Sequence, residues 1–224
     1  MSSPAPPLTE RALQSGGISN ASIYGMVMRA LERRRIRGSV FVDVGCGAGN
    51  LWKCVHQDFD HYVGLDAVRY PDFPEAAEFV QCDLDSGRIP LPEGMADVVV
   101  AVEIIEHLEN PRAFVRSLVR LVKSGGILIV TTPNQLSLLS LLTLLVRSRF
   151  TMFQDCNYPA HLTALLEIDL LRIGNECGLL NLEIEYSRHG RVFFSSNHYP
   201  GFLSNAFPRR LSDNILLIGR KPSF

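Results

Sequence analysis

The run "SVFVDVGCGAGN" (39–50) constrains this chain more than any other stretch. β-Branched and aromatic residues followed at once by glycines read as a buried strand that turns sharply into a helix. Gly45, Gly47 and Gly49 are spaced G-x-G-x-G, one residue short of the G-x-G-x-x-G loop that cradles a dinucleotide pyrophosphate. Glycines at such a turn let the backbone approach a ligand without Cβ clashes. Asp43 sits inside the otherwise apolar strand, where a carboxylate costs free energy unless it is paired. It is expected to hold the loop amides or a cationic ligand group.

Strand-like and helix-like stretches alternate along the rest of the chain, the pattern of a parallel sheet with crossover helices. Strands are predicted at 39–44, 61–66, 77–84, 96–102, 127–134, 179–188 and 214–221, and helices at 18–36, 50–57, 111–124 and 163–178. Pro111 opens the third of those helices, and Gly125 and Gly126 are expected to stop it. The stretch "QLSLLSLLTLLVRSRF" (135–150) is an apolar, helical insert after the fifth strand. The economical reading is one doubly wound α/β domain over 18–224, with an insert or lid at 135–160. The proline-rich segment 1–17 is expected to be a disordered tail without the apolar core of a signal peptide.

Composition limits the partners. The formal net charge of −1 supplies no global basic field for nucleic acid or anionic lipid, so no DNA partner is expected. Five scattered cysteines with no C-x-x-C pair argue for reduced thiols and a cytoplasmic location. The insert is far too short to span a bilayer, which takes ~20 apolar residues. It reads as a helix buried against the domain or a dimer partner, or as a lid in peripheral contact with a membrane.

Asp66 ends the second strand, where doubly wound folds use an acid to hold ribose hydroxyls. Four strand ends then occur in order: "VDVGCGAGN", "VGLD", "QCDLDSGRIPLPEGMADVVVAVEIIEHLENP" and "LVKSGGILIVTTPN". With these the chain resembles the class I S-adenosylmethionine-dependent methyltransferases across about residues 38 to 134 and more weakly to its end. The resemblance implies a Rossmann-like seven-stranded sheet with an antiparallel last strand, here "NILLIGRK" (214–221). It implies S-adenosyl-L-methionine as cofactor, with Asp43, Gly45, Cys46, Gly47, Gly49 and Asn50 around its methionine part. Asp66 would hold the ribose, Asp83 and Leu84 would lie against the adenine, and Ala101, Val102 and Glu103 would flank the sulfonium and amino-acid moiety. Cys46 is read as a small apolar filler rather than a nucleophile.

Candidates for the chemistry lie in "EIIEHLENP". If this segment is helical, Glu103, Glu106 and His107 occupy i, i+3 and i+4, so Glu103 can share a face with either of the others. His107 is then a candidate general base for a hydroxyl acceptor, with Glu106 and His161 as its catalytic neighbours. In a bland reading His107 packs under the loop and the acids are solvated. The expectation is a metal-free site. An ion, if one bound, would take Glu103, Glu106, His107 and His161, a pattern similar to that of small-RNA 3′-terminal 2′-O-methyltransferases. The aromatic-tryptophan stretch of those enzymes is missing, since the only tryptophan is Trp52, and RNA is not the expected acceptor. The expected function is O-methylation of a small-molecule, sugar or lipid-linked acceptor. The alternatives are metal-assisted RNA methylation, an NAD(P)-dependent oxidoreductase and a catalytically silent cofactor-binding module.

Overall fold

The computed structural model describes residues 16–193 and 195–223. Most of the proline-rich segment read as a tail, residues 1–15, lies outside them. Gly16 and Gly17 form a turn, and the Gly17 carbonyl accepts from the Ala48 amide at 2.9 Å. The packed domain therefore reaches back at least to the residues just before 18.

The strands are β1 (Gly38–Val44), β2 (Phe59–Asp66), β3 (Glu78–Gln81), β4 (Ala96–Val102), β5 (Val122–Pro133), β6 (Leu180–Tyr186) and β7 (Asn214–Arg220). They form one seven-stranded sheet in the order β3-β2-β1-β4-β5-β7-β6. β1 to β5 pair in parallel, and β7 is antiparallel to both β5 and β6. Strand order reverses between β1 and β4, so the C-terminal ends of those strands bound a crevice, the usual ligand position in open α/β sheets.

Residues of period two feed two cores. Along β4, Val99 and Ala101 face one side with Leu128 and Val130 of β5. Val98, Val100 and Val102 face the other with Ile127 and Ile129. The first side is covered by α3 (Pro111–Leu121) and α5 (Glu167–Glu176), through Phe114, Leu118, Leu170 and Ile173. The second is covered by α1 (Ala21–Arg33) and α2 (Trp52–Val55), through Ile23, Met26, Val27 and Val55. A sheet apolar on both faces with helices on each is the doubly wound architecture.

The elements differ from expectation at their ends. α1 begins at Ala21 because the Asn20 side chain caps the Ser22 amide. The helix after the glycine loop shrinks from 50–57 to Trp52–Val55, because Gly49 is still in the left-handed turn. β3 covers only Glu78–Gln81, since Asp83 caps a short 3₁₀ turn at Leu84–Ser86. α3 stops at Leu121, ahead of the two glycines. β5 starts at Val122, and a bulge between its pairings with Ala96 and Val98 absorbs residues 123–126. The insert contains α4 (Leu138–Arg147), and a short helix that the sequence did not suggest, α6 (Gly201–Ala206), precedes β7.

Candidate functional site

A cavity of about 620 Å³ opens over the C-terminal ends of β1, β2 and β4. Of the expected site residues, Asp43, Gly45, Cys46, Gly47, Asp66, Leu84, Val102, Glu103, Glu106, His107 and His161 line it. Gly49, Asn50, Asp83 and Ala101 do not. Gly49 faces the other way, toward Phe73 and Pro74, and Asn50 accepts from Lys53 at the surface. The Asp83 carboxylate is spent on capping the Asp85 amide, and Ala101 is fully buried in its strand. The cavity also gathers residues that sequence reasoning missed, among them Ser19, Tyr24, Met152 and the segment 156–160. These come from distant parts of the chain and carry no local motif.

The loop is held from two sides. Asp66 Oδ2 accepts from the Gly47 amide at 2.9 Å, and its Oδ1 accepts from Ala67 at 2.7 Å. Asp66 thus ties β2 to the loop while its carboxylate remains at the cavity wall. Burial pushes its pKa up, against the hydrogen bonds from Gly47, Ala67 and Val68. Asp43, fully buried, accepts from the Tyr62 hydroxyl through Oδ2, and its Oδ1 has no hydrogen-bond partner among the described residues. Burial pushes the Asp43 carboxyl up to about 7, with the Tyr62 hydrogen bond opposing. Burial and the nearby Asp43 and Asp66 hold Cys46 as a thiol, which suits a filler and not a nucleophile.

Asp43 makes stability depend on pH. Its folded pKa lies above the ordinary 3.8, so the folded state keeps a proton that the unfolded chain releases. Its contribution is full below that ordinary value and is lost as pH rises toward about 7. Asp66, Glu103 and Glu106 are shifted in the same sense. Asp43→Asn will therefore flatten part of the decline in Tm over this window, measured by thermal melts from acid to neutral pH. An unaltered slope would show that Asp43 is not protonated in the fold.

"EIIEHLENP" does not form the expected helix. Glu103 takes a left-handed conformation at φ 53, and only Ile105–His107 make a single 3₁₀ turn. A non-glycine residue in this conformation at a strand end is a local strain that the surroundings must hold. Here the Glu103 amide donates to Thr131 Oγ1 at 3.0 Å, and its carboxylate accepts from Asn214 Nδ2 at 2.6 Å. Glu106 turns under the site, fully buried. Its Oε2 accepts from Thr132 Oγ1 at 3.1 Å, and Oε1 has no partner among the described residues. Burial, and then the charge of Glu103, push Glu106 well above the usual carboxylate range.

His107 Nδ1 lies 2.7 Å from the Ala160 carbonyl, which can only accept, so Nδ1 carries a proton and the lone pair of the neutral ring is the one on Nε2. The His161 ring meets His107 edge-on at 4.6 Å; its Nδ1 is buried without a partner among the described residues, and burial lowers its pKa against a hydrogen bond with the Met152 backbone. The Glu106 backbone carbonyl accepts from Leu162 and Thr163, which locks the 156–163 segment over the turn. Glu106, His107 and His161 each offer a ligand atom within 4.8 Å of the others. This set of imidazoles and a carboxylate suits a first-row divalent ion. Glu103, the fourth ligand expected from the sequence, is not among them, being turned toward Asn214.

Residues 42–130 match the family described as "Methyltransferase domain". A probable S-adenosylmethionine-dependent methyltransferase of Mycobacterium tuberculosis is 35% identical over 105 residues, 43% of this chain and 36% of that protein. A ubiquinone biosynthesis O-methyltransferase of Pseudomonas paraeruginosa is 30% identical over 113 residues, 46% of this chain and 48% of that protein. The chain therefore spans less than half the length of these curated relatives. Among solved structures, a Burkholderia thailandensis 1,6-didemethyltoxoflavin-N1-methyltransferase with bound S-adenosylhomocysteine aligns with TM-score 0.64 at 13% identity, covering 100% of this chain and 94% of that one. The family match runs from β1 into β5, across the strands whose ends build the cavity. Over residues 42–130 the chain is thus similar to S-adenosylmethionine-dependent methyltransferases, and its fold is that of their solved structures.

Proposed function

We propose that the chain binds S-adenosyl-L-methionine in this cavity and methylates a hydroxyl of an uncharged small-molecule, sugar or lipid-linked acceptor. The observation that carries the reading is the cavity's composition. Three carboxyl groups, Asp43, Asp66 and Glu103, and two histidines face it above the buried Glu106, and no lysine or arginine is in its described lining. A site of this kind suits a cationic cofactor and offers nothing to pair with an anionic acceptor. The residues fit the cofactor in detail. The unpartnered Asp43 Oδ1 is available to an ammonium group. Asp66 stands where ribose hydroxyls are held in this fold, and Leu84, Ala67 and Val102 give apolar cover.

When bound, the cofactor supplies an electrophilic methyl group on a sulfonium. The chain's own part is alignment and proton management. His107, its Nδ1–H fixed on Ala160, presents the basic nitrogen that takes the acceptor's hydroxyl proton. His161 packs edge-on against it and holds the ring plane. Met152, Ile104 and Leu108 supply an apolar wall. The name of one similar protein, a ubiquinone biosynthesis O-methyltransferase, supports a hydroxylated acceptor.

Calorimetry with S-adenosylhomocysteine tests the cofactor assignment. Asp66→Asn should weaken binding about tenfold to a hundredfold, the range for hydrogen bonds to a charged group. Unchanged affinity would remove Asp66 from the site. A methyl-transfer screen over hydroxylated metabolites and sugars, read as released S-adenosylhomocysteine, tests the reaction. A second reading is favoured by the unpartnered Glu106 Oε1 and His161 Nδ1: a divalent ion held by Glu106, His107 and His161 would orient the acceptor oxygen.

A further inference from the structure

Helix α4 is packed with its polar side inward. Ser137, Ser140 and Thr143, spaced three apart on one face, are buried. Ser137 caps the Ser140 amide, Ser140 Oγ donates to Gln135 Oε1, and Thr143 Oγ1 accepts from Thr151 at 3.0 Å. The opposite row is apolar and faces out: Leu138 is 37% exposed, Leu145 81% and Val146 71%. A surface helix normally does the reverse. At its N-terminal end α4 abuts the turn after α6, where the Arg210 carbonyl accepts from the Leu138 amide at 2.7 Å. That neighbour also exposes large apolar groups, Phe202 at 72% and Phe207 at 61%.

Charge decides what covers this face. Residues 134–153 and 200–210 contain Arg147, Arg149, Arg209 and Arg210 and no aspartate or glutamate, in a chain whose net charge is −1. Arg149 pairs with Asp155 and Arg209 with Glu167, while Arg147 and Arg210 have no ion pair among the described residues. A second copy docked by two-fold symmetry would set this basic rim against its own equivalent. An anionic lipid surface complements it. The helix has ten residues, about 15 Å at ~1.5 Å per residue, which is half of a hydrocarbon core of ~30 Å. No helix among the described residues is long and apolar enough to cross a membrane. A short helix with an outward apolar row beside arginines is suited to lie in the plane of the interface.

We propose that α4 and the adjacent Phe202–Arg210 turn dock the protein on an anionic lipid bilayer. The chain leaving α4 runs directly into Met152, which lines the cavity, and Tyr158 and Ile18, both more than half exposed, line it too. Docking through α4 thus sets this wall of the cavity next to the lipid. The docking stands whether or not the methyl-transfer reading does.

Vesicle co-sedimentation of the full chain tests it. The protein should pellet with phosphatidylcholine–phosphatidylglycerol vesicles, bind less to phosphatidylcholine alone and be released by salt. Leu145→Glu/Val146→Glu should weaken binding at least about tenfold, given the apolar area withdrawn. Arg147→Gln/Arg210→Gln should abolish the preference for phosphatidylglycerol. Both variants should keep the wild-type S-adenosylhomocysteine affinity, since these side chains lie outside the cavity. Arg210 also donates to the Leu136 carbonyl at 2.9 Å, so Arg147→Gln alone, which gives up no such bond, should already weaken the preference. Wild-type protein left in the supernatant with both vesicle types would overturn the proposal. So would full binding by the double glutamate variant, or a concentration-dependent dimer that Leu145→Glu dissolves.

Discussion

Replacing His107 by glutamine will lower kcat for methyl transfer by about 10²- to 10⁴-fold, the usual contribution of a positioned general base. Affinity for S-adenosylhomocysteine will be unchanged. The split follows from where the ring sits. His107 is fixed by the Ala160 carbonyl on the wall formed by residues 156–161, whereas the residues proposed to hold the cofactor project from β1, the glycine loop and β2. The other candidates are poor bases. Burial and the charge of Glu103 favour the protonated form of Glu106, and burial lowers the pKa of His161. His161→Gln therefore costs less than His107→Gln if His107 acts as the base. If the trio holds an ion, the two variants fall together, metal content falls with them, and EDTA-treated wild-type protein regains activity with Mn²⁺. Full activity in His107→Gln would sink both readings.

The sheet was legible because its physics is local. Runs such as "VFVDV" and "VVVAV" announce strands through β-branched residues, and their order fixed a doubly wound topology. The glycine spacing and Asp66 pointed to the half of the cavity proposed to hold the cofactor for the same reason. The half proposed for the acceptor was less accessible. Nothing in "EIIEH" says that Glu103 will adopt a left-handed backbone, because its holders, Thr131 and Asn214, come from other strands. A helical reading put Glu103 beside Glu106 and His107. The strained turn sends Glu103 to Asn214 and drops Glu106 onto Thr132. His161 rests on the resemblance alone, as the distant histidine that follows E-x-x-E-H, and its contact with His107 depends on the Glu106 carbonyl gripping Leu162 and Thr163. The insert shows a further limit. With leucines on almost every side, no periodicity indicates that serines and threonine will face inward, since that choice rests on Gln135 and Thr151.

Gly47→Ala will abolish measurable S-adenosylhomocysteine binding and lower Tm. Gly47 has φ +51, and a Cβ there would stand 2.1 Å from the Gly17 carbonyl oxygen and 2.6 Å from its carbon. These are backbone atoms, so no rotamer change relieves the clash. Gly17 must move, which breaks the 2.9 Å hydrogen bond from the Ala48 amide and displaces the wall formed by Gly17, Ile18 and Ser19. Alternatively the loop must move, which withdraws the Gly47 amide from Asp66. Either route dismantles the proposed cofactor half. Gly87→Ala separates strain from collision, because Gly87 also has positive φ (+70) but open space where the Cβ would go. It should cost only the ~1–2 kcal/mol of a left-handed non-glycine residue and leave binding intact. If Gly47→Ala binds as well as Gly87→Ala does, the N-terminal segment is not packed on the loop, and the short G-x-G-x-G spacing owes nothing to that contact.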